Sequence, residues 1–140
     1  MPEITRQRPG TMRLVDALGY RLPLAGVVSI LHRASGLLLF VLLPFIIWLF
    51  DVSVTSEISY ERFSSAFVAG IGFVPAWLVK LVVLGLIWAY LLHFIAGVRH
   101  LWMDMTHSVS KEQGRSSAVI TLVSSLVLTV LLGAKLFGLF

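Results

Sequence analysis

Two histidines of this sequence lie within a long apolar run and share a helical face with a glycine and an aspartate. His93, Gly97, His100 and Asp104 are spaced at i, i+4, i+7 and i+11, and a helix places such positions on one side. An ionisable side chain among hydrocarbon costs on the order of 2.5 kcal/mol or more unless it faces protein, water or a ligand. His93 is therefore a candidate ligand, and Gly97 leaves room beside it for a flat group or a second backbone.

A second polar cluster opens an earlier apolar run. Ser29, His32, Arg33 and Gly36 lie at i, i+3, i+4 and i+7, so a hydroxyl, an imidazole and a guanidinium point the same way on a helix. Taken singly, Arg33 could snorkel to lipid phosphate and His32 could fill the membrane interface. Three polar groups on one face of an apolar helix instead favour a polar ligand.

Haem is a cofactor that suits these two clusters together. His93 lies seven residues deeper than His100, which is about 10 Å at 1.5 Å per residue, so one iron cannot take both as axial ligands. Iron bound at His93 would let the propionates reach Arg33 and His32, with His100 a further candidate. The alternative for His93 is a hydrogen bond to a neighbouring helix, and for His100 an interfacial position beside Arg99.

Three polar residues of the same segment have simpler explanations. Arg99 lies about 120° from the His93 face at 100° per residue, so it is predicted to snorkel or to pair with the following loop. Asp104 could pair with Arg99 or hold that loop, and His107 is predicted to be a solvated loop residue.

The composition places the chain among membrane proteins. Of its 140 residues 58% are apolar and only 13% are charged, whereas soluble chains are about one quarter charged. The sequence contains no cysteine, which excludes disulfides, thiolate metal sites and Cys-attached haem. The net charge of +4 comes from basic residues that flank the apolar runs, so lipid phosphate is a better partner than nucleic acid.

The pattern predicts an all-α membrane protein with one domain over residues 1–140. Its three spans are predicted at about 29–50, 76–102 and 117–140, since about 20 apolar residues cross the hydrocarbon core. Pro75 suits the start of the second span, and Ser116 or Ser117 could cap the third.

Two shorter amphipathic helices are predicted beside the spans. Leu14, Ala17 and Leu18 repeat at helical spacing between charged residues, which indicates a short N-terminal helix on the membrane surface. An aromatic-faced interfacial helix is predicted between the first two spans, where four residues recur at helical spacing: Tyr60, Phe63, Phe67 and Ile71.

The distribution of basic residues predicts the orientation. Eight of the 11 basic residues fall in the N-terminal segment through Arg33 or around the loop after the second span: Arg6, Arg8, Arg13, Arg21, Arg33, Arg99, Lys111 and Arg115. The positive-inside rule then places the N-terminus and this loop in the cytoplasm, or in the matrix of a mitochondrion. Nothing resembles a signal or transit peptide, which favours a bacterial plasma membrane.

The two polar segments together resemble a known family. Residues 29–36 (SILHRASG) and 93–104 (HFIAGVRHLWMD) are similar to the signature segments of the cytochrome b subunit of succinate dehydrogenase, complex II. The order of the motifs, the three spans and the upstream pair Arg8-Pro9 are similar as well.

The resemblance implies an anchor within a four-subunit enzyme. In that family a flavoprotein oxidises succinate, an iron–sulfur protein relays the electrons, and two membrane subunits bind haem b and reduce ubiquinone or menaquinone. By position, His93 would be an axial haem ligand, with the other histidine on the partner anchor, and His32 and Arg33 would lie near the propionates. Ser29, Ile30 and Arg33 would belong to the quinone site. No catalytic residue for succinate oxidation is expected in this chain.

Two alternatives remain at this point. The chain could serve a quinol:fumarate reductase, in which electrons run in the opposite direction. It could also be a non-redox structural or transport subunit whose polar faces only hold helices together, and such a protein would carry no chromophore.

Overall fold

A computed structural model describes Val15, residues 19–107 and residues 110–139, and this part of the chain is helical. The four helices are α1 (Leu24–Val54), α2 (Glu57–Ser65), α3 (Ala76–Thr106) and α4 (Lys111–Leu136). The helices α1, α3 and α4 are long and apolar enough to cross a membrane. The predicted all-α membrane architecture is therefore confirmed. The predicted N-terminal surface helix at Leu14, Ala17 and Leu18 falls outside the described residues.

Two of the long helices begin directly after a proline. Pro23 and Pro75 are the N-cap residues of α1 and α3 and have extended backbone angles. Their carbonyls accept the first helical bonds, for example from Gly26 N–H to Pro23 at 2.8 Å and from Leu78 N–H to Pro75 at 3.0 Å. Since proline lacks an N–H that a helix start could not use, its place at these ends is favourable.

The start of α4 differs from the prediction. Ser110 caps this helix, because its Oγ accepts the Gln113 N–H at 3.2 Å while the Gln113 side-chain oxygen accepts the Ser110 N–H at 3.3 Å. The predicted cap at Ser116 or Ser117 is therefore wrong. Apolar residues mark the hydrocarbon span, but a capping box extends the helix through polar residues before it.

The helix α2 is shorter than the aromatic periodicity indicated. It begins at a second capping box between Ser56 and Ser59 and ends at Ser65, so Phe67 and Ile71 lie beyond it. The chain then turns through Gly70 and Gly72, whose φ angles are +89° and +58°. A side chain at Gly70 would collide with the Val74 carbonyl, so this turn requires glycine and ends the helical run.

Small residues of α4 pack against the other two long helices, for example Gly133 against Leu84 of α3 and Gly114 against Ala25 of α1. The buried side of α4 consists of Gly114, Ala118, Thr121, Ser125, Thr129 and Gly133. Such residues allow two backbones to approach closely, and their hydroxyls bond to carbonyls of their own helix.

The helix α1 joins this pair near its own beginning. A cluster of buried apolar residues joins the three long helices and consists of Val28, Ala96 and Ala118, one from each helix. Among the described residues α1 buries only Val28 and Ser35. The first third of α1, which carries the Ser29 cluster, is thereby held against α3.

Candidate functional site

Three histidines from two helices form one cluster between α1 and α3. The rings of His32 and His93 are stacked, with centroids 4.3 Å apart and planes 10° from parallel. His100, two turns along α3 from His93, lies 5.1 Å from His32 with its ring tilted by 51°. The fold thus brings together the two polar clusters that the sequence separates by about 60 residues.

A hydrogen bond from His93 to the backbone of α1 selects the tautomer of the neutral ring. Nδ1 of His93 lies 3.0 Å from the carbonyl oxygen of His32. A carbonyl can only accept a hydrogen bond, so Nδ1 carries the proton and Nε2 of the neutral ring keeps its lone pair. Histidines that bind metals are oriented in this way, by donation from the other ring nitrogen.

The side chain of Ser35 joins the same contact. Its hydroxyl donates to the His32 carbonyl at 3.0 Å, and its oxygen lies 3.3 Å from Nδ1 of His93. The neighbouring-helix hydrogen bond that the alternative explanation of His93 required is therefore present. It uses only one ring nitrogen, so the donor set still fits a haem iron bound at Nε2.

Gly36 is the residue that lets α1 approach His93. A Cβ at this position would lie 2.8 Å from Cε1 and 3.3 Å from Nδ1 of the His93 ring. At Gly97 a Cβ would lie 3.5 Å from Nε2 of His32, an ordinary contact. Sequence reasoning gave Gly97 the spatial role and assigned none to Ser35. The available signal was their spacing, since Ser35 and Gly36 follow His32 by three and four residues.

The remaining residues of the α1 cluster differ in their exposure. Ser29 is half-buried, Ile30 is 50% exposed and Arg33 is exposed. These side chains lie at the start of α1 on a surface that the described residues leave at least partly open. They can therefore contact a ligand or another subunit.

Arg99 is buried and pairs with the segment that follows α3. It is only 7% exposed, and its guanidinium donates from Nε to the Ser117 hydroxyl at 3.0 Å and from Nη2 to the Gly114 carbonyl at 3.2 Å. Of the two predicted roles, snorkelling is wrong, whereas pairing with the following segment is confirmed, because Gly114 and Ser117 in the first turns of α4 accept these bonds. Asp104 and His107 are exposed, as expected for His107.

The described residues contain no group of three or more His, Cys, Asp or Glu side chains that could hold a metal ion. A haem requires no such group, because the porphyrin supplies four ligands and the protein supplies only the axial ones. The single ligand at His93 is thus compatible with haem.

Comparison with known proteins places this chain in a family. Residues 6–132 match the model of the succinate dehydrogenase/fumarate reductase transmembrane subunit. The succinate dehydrogenase cytochrome b556 subunit of Paracoccus denitrificans is 35% identical over 112 residues, covering 80% of this chain and 81% of that protein. The corresponding subunit of Coxiella burnetii is 32% identical over 119 residues, covering 85% and 90%. The chain therefore belongs to the succinate dehydrogenase/fumarate reductase transmembrane subunit family, as its two polar segments suggested.

Proposed function

We propose that this chain is the membrane anchor of a succinate:quinone oxidoreductase, where it binds haem b together with a second anchor subunit and forms part of the quinone-reduction site. The observation that carries the proposal is the His93 ring, whose Nδ1 is committed to the His32 carbonyl and whose Nε2 is left as a ligand. The relatives named above are cytochrome b556 subunits of succinate dehydrogenase, which supports the same assignment.

Three residues of this chain would hold the haem. His93 would bind the iron through Nε2, and a histidine of the second anchor would bind it as well. His32, stacked on His93, and Arg33, on the exposed side of α1, would bind the propionates through charge-assisted hydrogen bonds. When bound, the haem takes up and releases single electrons.

The quinone site is assigned to Ser29, Ile30 and Arg33. Reduction of a quinone adds two electrons and two protons, so negative charge develops on its oxygens. The Ser29 hydroxyl and the Arg33 guanidinium can both donate hydrogen bonds to those oxygens. Ile30 offers an apolar surface to the ring, and its exposure allows a second subunit to complete the pocket. Protons reach this end of α1 from the adjacent aqueous phase.

The proposed assembly has three further protein subunits. The iron–sulfur subunit delivers electrons at the inner surface, the flavoprotein contacts the anchors through it, and the second anchor packs on the exposed faces of the spans. Lipid covers the remainder. The proposed location is a bacterial plasma membrane with the N-terminus in the cytoplasm, following the basic residues at this end.

A difference spectrum of the assembled complex tests the haem assignment. Membranes that contain the chain with its partners should show reduced-minus-oxidised haem b bands, and His93→Ala should remove them. His107→Ala is the matched control, since this histidine is exposed in the loop after α3 and should leave the bands unchanged. Bands that persist in His93→Ala would overturn the assignment, and a colourless wild-type complex would favour the non-redox alternative.

Two activities measured side by side test the quinone assignment. Ser29→Ala and Arg33→Ala should each lower quinone reduction about tenfold or more, while succinate oxidation by an artificial soluble acceptor continues. Ser53→Ala is the control on the same helix, because Ser53 is far from the cluster and bonds only to the Phe50 carbonyl. Equal loss of both activities would indicate failed assembly. Faster fumarate reduction by quinol than succinate oxidation would assign the complex to the reductase side of the family.

A further inference from the structure

We propose that Ser35 is a positioning residue for His93, whose hydroxyl holds the imidazole in one orientation and tunes the electron density at Nε2. This inference rests on the proposed role of His93 as an axial ligand. It concerns a residue that touches neither iron nor quinone in the proposed site and acts through the histidine alone.

The contacts of Ser35 determine which way its hydroxyl points. The side chain is 6% exposed and donates its proton to the His32 carbonyl at 3.0 Å. A lone pair of the same oxygen then faces the Nδ1–H of His93 at 3.3 Å. That N–H therefore lies between two acceptors, the His32 carbonyl at 3.0 Å and the Ser35 oxygen, which together restrain rotation of the ring.

Acceptors at Nδ1 make the opposite nitrogen a better electron donor. A better donor stabilises oxidised iron more than reduced iron, so loss of an acceptor should raise the midpoint potential. The 3.3 Å contact is the weaker of the two, and the His32 carbonyl, once it no longer accepts from Ser35, accepts more strongly from Nδ1–H and offsets part of the loss, so the rise should be small. We therefore expect the ratio of reduced to oxidised haem to rise about threefold at a given potential, which is about 28 mV because tenfold corresponds to about 59 mV for one electron.

A matched serine separates this effect from a general loss of packing. Ser125 on α4 is fully buried and donates at 3.0 Å to the Leu122 carbonyl three residues earlier, as Ser35 does to His32. This hydrogen bond of the Ser125 hydroxyl involves no histidine. Ser125→Ala thus removes the same kind of bond from an equally buried site, and Ser35→Thr keeps the hydroxyl at position 35.

The test is a redox titration of haem absorbance, with low-temperature EPR of the oxidised haem, in the complete purified complex. Ser35→Ala should raise the midpoint potential and shift or broaden the EPR signal, whereas Ser35→Thr and Ser125→Ala should match the wild type. Loss of haem in Ser35→Ala that Ser35→Thr restores would support the proposal as well.

Three results would count against the proposal, and they are distinguishable. A potential and EPR signal in Ser35→Ala identical to those of the wild type would overturn the positioning role while leaving the haem site intact. Equal haem loss in Ser35→Ala and Ser35→Thr would show that the hydroxyl is not what matters. Absence of haem from the wild-type complex would instead refute the proposed function itself.

Discussion

Among the glycine-to-alanine substitutions in α1 and α3, Gly36→Ala should disturb the candidate site most. The added Cβ would lie 2.8 Å from Cε1 of His93, whereas unstrained carbon contacts begin near 3.4 Å. The ring or the helix must then move by about 0.6 Å. A displacement of that size exceeds the roughly 0.5 Å tolerance of a preorganised site, and overpacking of this kind costs about 1–3 kcal/mol.

The expected loss of stability and haem in Gly36→Ala is opposite in sign to the effect of helix propensity, so the two can be told apart. Alanine in a helix interior is favoured over glycine by about 1 kcal/mol, so Gly36→Ala would stabilise α1 if the contact with His93 did not matter. Gly85→Ala on α3 provides the control, because nothing lies within 4 Å of a Cβ there. The overpacking cost at Gly36, about 1–3 kcal/mol, exceeds the gain of about 1 kcal/mol in helix propensity over most of its range.

The assay is the haem content per complex, measured from absorbance against flavin, together with the thermal midpoint of the purified assembly. Gly36→Ala should lower both the haem content and the midpoint, and Gly85→Ala should leave the haem content unchanged. If Gly36→Ala held a full complement of haem with an unaltered spectrum, the close packing of His93 on α1 would be refuted.

Three further predictions concern α3 and α4. Gly97→Ala should assemble normally, since its Cβ meets only His32 at 3.5 Å, but should lose haem if the porphyrin lies against this glycine; retained haem would exclude that placement. Arg99→Ala should lower the free energy of unfolding by about 1.5–3 kcal/mol, because hydrogen bonds from a charged donor are lost, and Ser117→Ala should cost less in the same thermal assay. Ser110→Ala should cost about 1 kcal/mol by removing the α4 cap, seen as a lower thermal midpoint.

The three long helices could be predicted from the sequence because each one is indicated by many apolar residues together. Apolar runs of about 20 residues specify spans whatever their neighbours do. The ends were harder, since they depend on single side chains. Ser110 and Gln113 start α4 well before its apolar run, and Gly70 and Gly72 end the helical pattern after α2.

The sequence predicts which residues of each helix belong to the candidate site, but it does not predict the contacts between the helices. Helical spacing alone shows which residues share a face, so the histidines of both helices could be grouped. Spacing does not give the depth or the rotation of one helix against another. The sequence left Arg99 with two roles, snorkelling or pairing with the following loop, because its acceptors Gly114 and Ser117 are identified only once the helices are packed. Ser35 and Gly36 acquire their roles for the same reason.

Packing of α1 and the state of His93 are coupled in this architecture. Among the described residues α1 buries only two, and one of them, Ser35, contacts the His93 ring. The bond from Nδ1 to the His32 carbonyl therefore contributes both to the attachment of α1 and to the choice of Nε2 as the free nitrogen. A ligand that binds Nε2 only in this arrangement stabilises it by mass action. Under the proposed function, haem and the docking of α1 onto α3 should thus stabilise one another, and removing either should loosen the other.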